Sequence, residues 1–218
     1  MNDIELTVCD HPLLDLRALE VRFGATLGEL PCPEALTSLL SLDAEAPLQR
    51  SEETRTAARK LLREAGFRPS GRNKPASEYL VRAAQSGYLS SINLAADLGN
   101  AVSLHSGLHL SVVDPDKARA PLRVDVAAPD ASFVFNAAGQ EIKIGELLGL
   151  SDADGPCANA VKDSQRTKTD DGTTRVLVLI WGSVAVPGLA EQAAGWLTSL
   201  AISAGAEVRP ITSQGART

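Results

Sequence analysis

A carboxylate, a hydroxyl, an amide, a guanidinium, a second hydroxyl and an ammonium follow one another in Asp163, Ser164, Gln165, Arg166, Thr167 and Lys168, within the segment KDSQRTKTDDGTTRVLVLIWG (residues 162–182). Packed this closely ahead of a core strand, these types can bind a ligand and exchange protons with it, or simply face water. The polar stretch runs straight into TRVLVLIWG, a nearly continuous apolar run that reads as a strand buried on both faces. A solvated surface loop and a binding loop carried by a rigid strand both fit this pattern. Ser164, Thr167 and Lys168 are the candidates this loop offers for a catalytic role. Asp163 and Arg166 either pair with each other to pin the loop or contact a substrate.

A second group lies in SSINLAADLGNAVSLHSG (residues 90–107), read as a helix capped by Ser90 or Ser91 and ended near Gly107. Asn93, Asp97 and Asn100 fall at i, i+4 and i+7 and so share one face, suited to an internal hydrogen-bond network or a pocket wall. Asp114, followed by Pro115, reads as a turn former. Cys157 reads as a small buried filler. His105 and His109 are four apart, but Gly107 between them breaks the helical face that a zinc pair needs, so no metal site is expected. The chain has no phosphate loop of the G-x-x-x-x-G-K-[ST] type, no G-x-G-x-x-G and no G-x-S-x-G elbow, and no cofactor is expected.

The elements that must position these residues are spread over 218 residues, enough for a sizeable core. Eight aromatic residues (two Trp, two Tyr, four Phe) leave most of that core to Ala, Leu and Val. Three cysteines without C-x-x-C spacing, an acidic N-terminus without a signal-peptide pattern, and no apolar run of spanning length lead to the expectation of a cytoplasmic protein. Net charge is −6, yet the window Arg50 to Arg82 holds nine basic and four acidic residues, so it carries +5 and the remainder −11. Within it, Ser51 to about Ala65 reads as a helix with Ser51 as N-cap, Glu52 and Glu53 in the first turn and Gly66 at the exit. Arg55, Arg59 and Arg63 recur every four residues as a basic stripe, either a solvated face or a phosphate-facing one. Arg72 and Lys74 follow in the Pro/Gly-rich loop FRPSGRNKPA.

Strands are expected at Ile4 to Val8, in ALEVRFG, PLRVDVAA, SFVFN, EIKIGE, the apolar run and AEVRPI. Helices are expected in PCPEALTSLL, near Ala76 to Ser86, and in PGLAEQAAGWLTSLAISAG. The pattern predicts a mixed α/β (α+β) domain with a mixed sheet flanked by helices. Residues 1–50 are expected as a strand and helix extension packed on a main domain of residues 51–211, with 212–218 as a flexible tail.

The order of three stretches resembles the editing module, the third and fourth domains, of the bacterial phenylalanyl-tRNA synthetase beta subunit. RPSGRNKPASEYLVRAAQSGYLSSINLAADLGNAVSL carries a Pro-Ser-x-E-x-L-x-R-like helix and then INxxxDxxNxxSL. GLHLSVVDPDKARAPLRV is similar to GLPxxxxDxDKIxGxxxxR. GPCANAVKDSQRTKTDDGTTRVLVLI has a Gly-Pro turn followed by Asp-Ser-x-Arg-Thr. The resemblance covers roughly Arg55 to Glu207. It implies a trans-acting deacylase that removes a mischarged amino acid, tyrosine or a related one, from tRNA by positioning water, without a protein nucleophile. It implies a substrate pocket from Asn93, Asp97, Asn100, His109, Ser111, Asn159, Asp163, Gln165 and Arg166, and tRNA contacts from Arg55, Arg59, Arg63, Arg72 and Lys74. Two positions depart from the family: a pocket histidine falls at Ser111, and the glutamate that reads the tyrosine hydroxyl falls near Gln165, which brings no charge. A binding module for an amino acid or tRNA, and a hydrolase of small amino-acid esters or amides, are the alternatives.

Overall fold

The computed structural model describes residues 3–64 and 74–215. In chain order the elements are β1 (Leu6–Val8), β2 (Leu14–Arg22), α1 (Glu34–Thr37), α2 (Glu52–Glu64), α3 (Ala76–Gln85), α4 (Leu94–Ser106), β3 (His109–Val113), β4 (Leu122–Val126), β5 (Ser132–Val134), β6 (Glu141–Lys143), β7 (Leu148–Asp152), β8 (Gly155–Asn159), β9 (Arg175–Ser183), α5 (Leu189–Ser203), β10 (Glu207–Pro210) and β11 (Gln214–Gly215). Two sheets organise the chain. One is antiparallel in the order β10-β2-β9-β3, the other mixed in the order β11-β1-β4-β7-β8, and β5 and β6 form a separate hairpin.

The apolar run becomes β9, buried along its whole length. Because strand side chains alternate, Val176, Val178 and Ile180 enter one core with α4 and α5, while Leu177, Leu179 and Trp181 enter a second core with residues of β4, β7 and β8. A large apolar side chain so buried contributes about 1.5–3 kcal/mol, which makes β9 the strand on which both cores depend. The result is a mixed α+β architecture of sheets flanked by helices.

Residues 1–50, expected as an extension, supply β2, which pairs with β9 over nine residues, and β1, which pairs with β4. Gln214 and Gly215, placed in the expected flexible tail, pair with β1. Helix α2 starts after Ser51, whose Oγ accepts the Thr54 amide at 3.0 Å. Gly66, Arg68 and Arg72 lie outside the described residues. Helix α4 starts later than the sequence implied: Asn93, not Ser90 or Ser91, is the N-cap, its side chain accepting the Ala96 amide at 2.9 Å. Gly99 of α4 lets β3 pass close by, since a Cβ there would meet Val112 Cγ2 at 2.7 Å. Among the described residues no helix is long and apolar enough to cross a membrane.

Candidate functional site

A cavity of about 410 Å³ opens between α3, α4, β3 and the loop that follows β8. Tyr79, Leu80, Leu110, Phe135 and Val161 give it an apolar wall, and Asn100, Asn159, Lys162, Asp163 and Lys168 bring polar groups to it. Several apolar walls with a few convergent polar groups are the usual make-up of a small-molecule site.

Backbone geometry fixes each polar group. Asn159 closes β8 and turns the chain: its Oδ1 accepts the amides of Val161 at 2.8 Å and Lys162 at 3.0 Å. Asp163 then bridges back to Ala158, and its Oδ2 accepts the amide of Val112 on the free edge of β3 at 3.3 Å. Ser111 stands behind it: its Oγ accepts the Trp181 indole N–H at 3.0 Å, and its own proton serves the Asn159 carbonyl at 3.3 Å or the Asp163 carboxylate. Lys168 is anchored twice. Its Nζ donates to the Phe135 carbonyl at 2.6 Å, and its own carbonyl accepts from Lys117 Nζ at 2.6 Å. The turn that carries Lys117 begins at Asp114, whose side chain accepts the Asp116 amide and whose amide donates to the Thr167 carbonyl. Asp114 is thus the turn former its Pro115 neighbour implied. Lys162 holds its ammonium 3.5 Å from the Phe135 ring centroid, a cation–π contact.

Electrostatics sharpen the site. Burial pushes the Asp163 carboxyl up to about 6, against the opposing pull of Ser111, the Val112 amide and Lys168. Burial pushes Lys168 down from its usual range, and Asp163 works against that. A carboxyl that titrates near 6 beside an ammonium suits proton transfer near neutral pH. In the same wall Tyr79 Oη and Asn159 Nδ2 are buried without a hydrogen-bond partner among the described residues, which costs free energy unless a ligand or water meets them.

Of the residues singled out by sequence, Asn100, Asn159, Asp163 and Lys168 meet in this cavity. The others do not line it. Ser164 and Thr167 are buried and turned into their own loop: Ser164 Oγ accepts the Arg166 amide, and Thr167 Oγ1 donates to the Cys157 carbonyl at 3.2 Å. A local cap absorbs the Ser164 hydroxyl, and β8 takes the Thr167 hydroxyl. Gln165 is exposed. Arg166 pairs not with Asp163 but with Asp152, through two bonds of 2.8 Å. Asn93 caps α4 and donates to Thr169 Oγ1 at 3.2 Å, which ties the helix to the loop. Asp97 is fully buried and satisfied by Cys32 Sγ, Ser91 Oγ and the Ile92 amide. His109 is buried, with Nδ1 accepting the Ser77 amide at 3.3 Å, and burial pulls its pKa down to about 4. His105 instead bonds the Leu39 carbonyl, so the two histidines do not converge. Among the described residues no cluster of three or more His, Cys, Asp or Glu is arranged to hold a metal. Cys157 is the filler expected: burial pushes its thiol up to about 12, so it offers no thiolate.

Tyr79, Lys162 and Phe135 were not legible as site residues. Only the fold brings α3 and the hairpin beside the loop. The basic stripe also changes character. Arg59 makes a bidentate pair with Glu78 at 2.6 and 2.7 Å, and Arg55 pairs with Glu52 at 2.9 Å and reaches Glu78 at 3.5 Å. Arg63 remains on an exposed face. Lys74 lines a separate cleft, and Arg72 lies outside the described residues.

The chain matches no sequence-family profile, and no curated protein matches it by sequence. Among solved structures it is similar to an N-terminal fragment of the phenylalanyl-tRNA synthetase beta-subunit from Pyrococcus horikoshii, with a TM-score of 0.55 at 11% identity, over 99% of this chain and 53% of that one. The chain therefore spans about half the length of that fragment. At this identity the likeness is one of fold: nearly all of the chain follows a mixed α+β arrangement also found in a phenylalanyl-tRNA synthetase beta-subunit.

Proposed function

We propose that this chain is an aminoacyl-ester hydrolase that acts on mischarged tRNA in trans, with the cavity around Asp163 and Lys168 as its active site. The observation that carries the reading is the meeting of a proton acceptor and a cation in a cavity of about 410 Å³ with an apolar wall. The fold likeness to a phenylalanyl-tRNA synthetase beta-subunit and the three stretches quoted above support the choice of a tRNA-borne ester as substrate.

In this mechanism the amino-acid side chain rests on Leu80, Leu110 and Val161. Water attacks the ester carbonyl while the Asp163 carboxylate takes its proton. The new C–O bond puts negative charge on the carbonyl oxygen, which the Lys168 ammonium stabilises. Collapse breaks the bond to the ribose oxygen, which leaves with the proton held by Asp163. No protein nucleophile is consumed, in keeping with the capped hydroxyls of Ser164 and Thr167 and the high thiol pKa of Cys157.

Release of labelled amino acid from a panel of mischarged tRNAs, tyrosine on phenylalanine tRNA among them, tests the proposal. Release from one or more members, lost in Lys168→Ala, supports it. Absence of release by folded protein across the panel overturns it. A second reading, a non-catalytic amino-acid module, draws on Lys168 already being held by the Phe135 carbonyl, an arrangement equally suited to fixing a carboxylate. Calorimetric titration with free amino acids distinguishes it: tight binding without hydrolysis favours the module.

A further inference from the structure

On its other side, α3 borders a second cavity of about 440 Å³. Ser77, Glu78, Val81, Arg82 and Gln85 of α3 face it, whereas Ala76, Tyr79, Leu80 and Ala83 face the site described above. One helix therefore forms the partition between two cavities, as expected when two sets of i, i+3 and i+4 positions point opposite ways. Ser77 is its single buried residue.

The second cavity is unusual in its charge. Arg50, Arg55, Lys74 and Arg82 line it with only Glu52 and Glu78 to oppose them, in a chain whose net charge is −6. Both acids are already committed. Glu52 pairs with Arg55, and Glu78 with Arg59, whose hydrogen bonds hold the Glu78 carboxyl below its usual range. Arg50 and Arg82 are exposed, and no ion pair holds either of them among the described residues. Gly107, the left-handed residue that ends α4, closes the floor: a Cβ there would meet Arg50 Cβ at 3.2 Å, so the glycine lets the Arg50 backbone come in close. Just past the end of α3, Tyr88 exposes 84% of its surface. It stands three residues beyond Gln85 of the cleft's lining, and cations beside an exposed aromatic face are the means by which proteins hold single-stranded nucleic acid.

We infer that the cleft bounded by Arg50, Lys74 and Arg82 holds the phosphates of a single-stranded RNA end, with a base stacked on Tyr88, and that this strand crosses α3 to deliver its ester to the neighbouring cavity. The inference rests on the hydrolase reading for its substrate, but its binding test does not. Glu78 acts as an internal competitor for the cleft: it occupies Arg59 and draws on Arg55, so its removal frees positive charge for phosphate.

The test measures fluorescence anisotropy of a short labelled single-stranded RNA over a range of salt, for the wild type, Arg50→Ala/Arg82→Ala, Glu78→Gln and Tyr88→Ala. The double variant is expected to bind about 10-fold or more weakly at low salt, with the slope of log affinity against log salt reduced by about 1.4, or about 0.7 for each phosphate left without its arginine. Glu78→Gln is expected to bind several-fold more tightly. Tyr88→Ala is expected to weaken the single strand several-fold and leave competition by inorganic pyrophosphate unchanged. Alanine retains the Cβ that packs near Gly107, and both arginines are exposed, so the double variant keeps its fold. Unchanged RNA affinity in the double variant overturns the inference, and so does an unchanged single-strand affinity in Tyr88→Ala. Hydrolysis is scored in parallel on an RNA-borne and a small amino-acid ester. If RNA binds through Arg50 and Arg82 but neither ester is cleaved, the hydrolase reading fails and the cleft stands. If esters are cleaved while RNA binding ignores both arginines, the cleft fails and the hydrolase reading stands.

Discussion

Replacing Asp163 by Asn is expected to make the protein more stable at pH 7 and less active. The carboxyl titrates near 6 in the fold against an ordinary value of 3.8, because burial disfavours its charge. At about 1.4 kcal/mol per pH unit, holding it ionised at pH 7 costs the native state about 3 kcal/mol. A group whose folded pKa is raised contributes stability that is fully present below pH 3.8 and lost as pH rises through about 6. Asparagine keeps an oxygen to accept the Val112 amide and removes the charge, so that cost disappears. The attraction of Lys168 is already contained in that value, so the expected gain is about 3 kcal/mol, less whatever the amide gives up in hydrogen bonding. Urea denaturation from pH 3.5 to 7.5 reads this directly: the variant's midpoint should coincide with the wild type's at the acid end and exceed it increasingly toward pH 7. A variant less stable than wild type at pH 7, or a difference that does not change with pH, would show that the buried Asp163 charge does not cost the native state stability.

His109 titrates in the opposite sense. Held neutral by burial, with a pKa of about 4 against 6.5, it makes stability fall as pH drops below 6.5, by about 3 kcal/mol at pH 4. In the wild type this loss runs against the Asp163 gain, so Asp163→Asn should expose a steep acid-side loss and His109→Gln should remove it, both visible in the same urea series. Ser111→Ala strands the Trp181 indole N–H in the core and should cost about 1–3 kcal/mol, read by tryptophan fluorescence during unfolding. Leu179→Ala empties a fully buried site on β9 and should cost about 2–5 kcal/mol without altering which ester is cleaved. Ser164→Ala, which touches a loop cap rather than the cavity, should lower stability by about 1 kcal/mol and leave the chemical step close to wild type in a single-turnover assay.

What could be read from sequence follows the range of the interaction concerned. β9 was legible because burial on both faces leaves a continuous apolar run, and the caps at Ser51 and Gly107 because they act within one turn. The loop of residues 162–168 was legible as a functional candidate, but not which of its side chains face the cavity. Ser164 was drawn away by the backbone of its own turn and Thr167 by the Cys157 carbonyl on β8, while Asp163 was turned inward by the Val112 amide, 51 residues earlier. Arg166 was read as a possible partner of neighbouring Asp163, but the β7–β8 hairpin delivered Asp152 instead. The stripe of Arg55, Arg59 and Arg63 had the spacing of a binding face, yet Glu78, 19 residues from Arg59, arrives on α3 and neutralises its centre. The cations left to the cleft, Arg50 and Arg82, carry no periodic signal because they come from separate segments.

The proposed hydrolysis of a mischarged aminoacyl-tRNA turns on Asp163 taking the proton from water. The most direct measurement is the single-turnover rate of amino-acid release as a function of pH, wild type beside Asp163→Asn, on whichever member of the tRNA panel is cleaved fastest. The wild-type rate is expected to rise with pH to a plateau above about 6, and the variant to be at least about 100-fold slower and without that rise. A variant that releases amino acid at the wild-type rate with the same pH profile would contradict it.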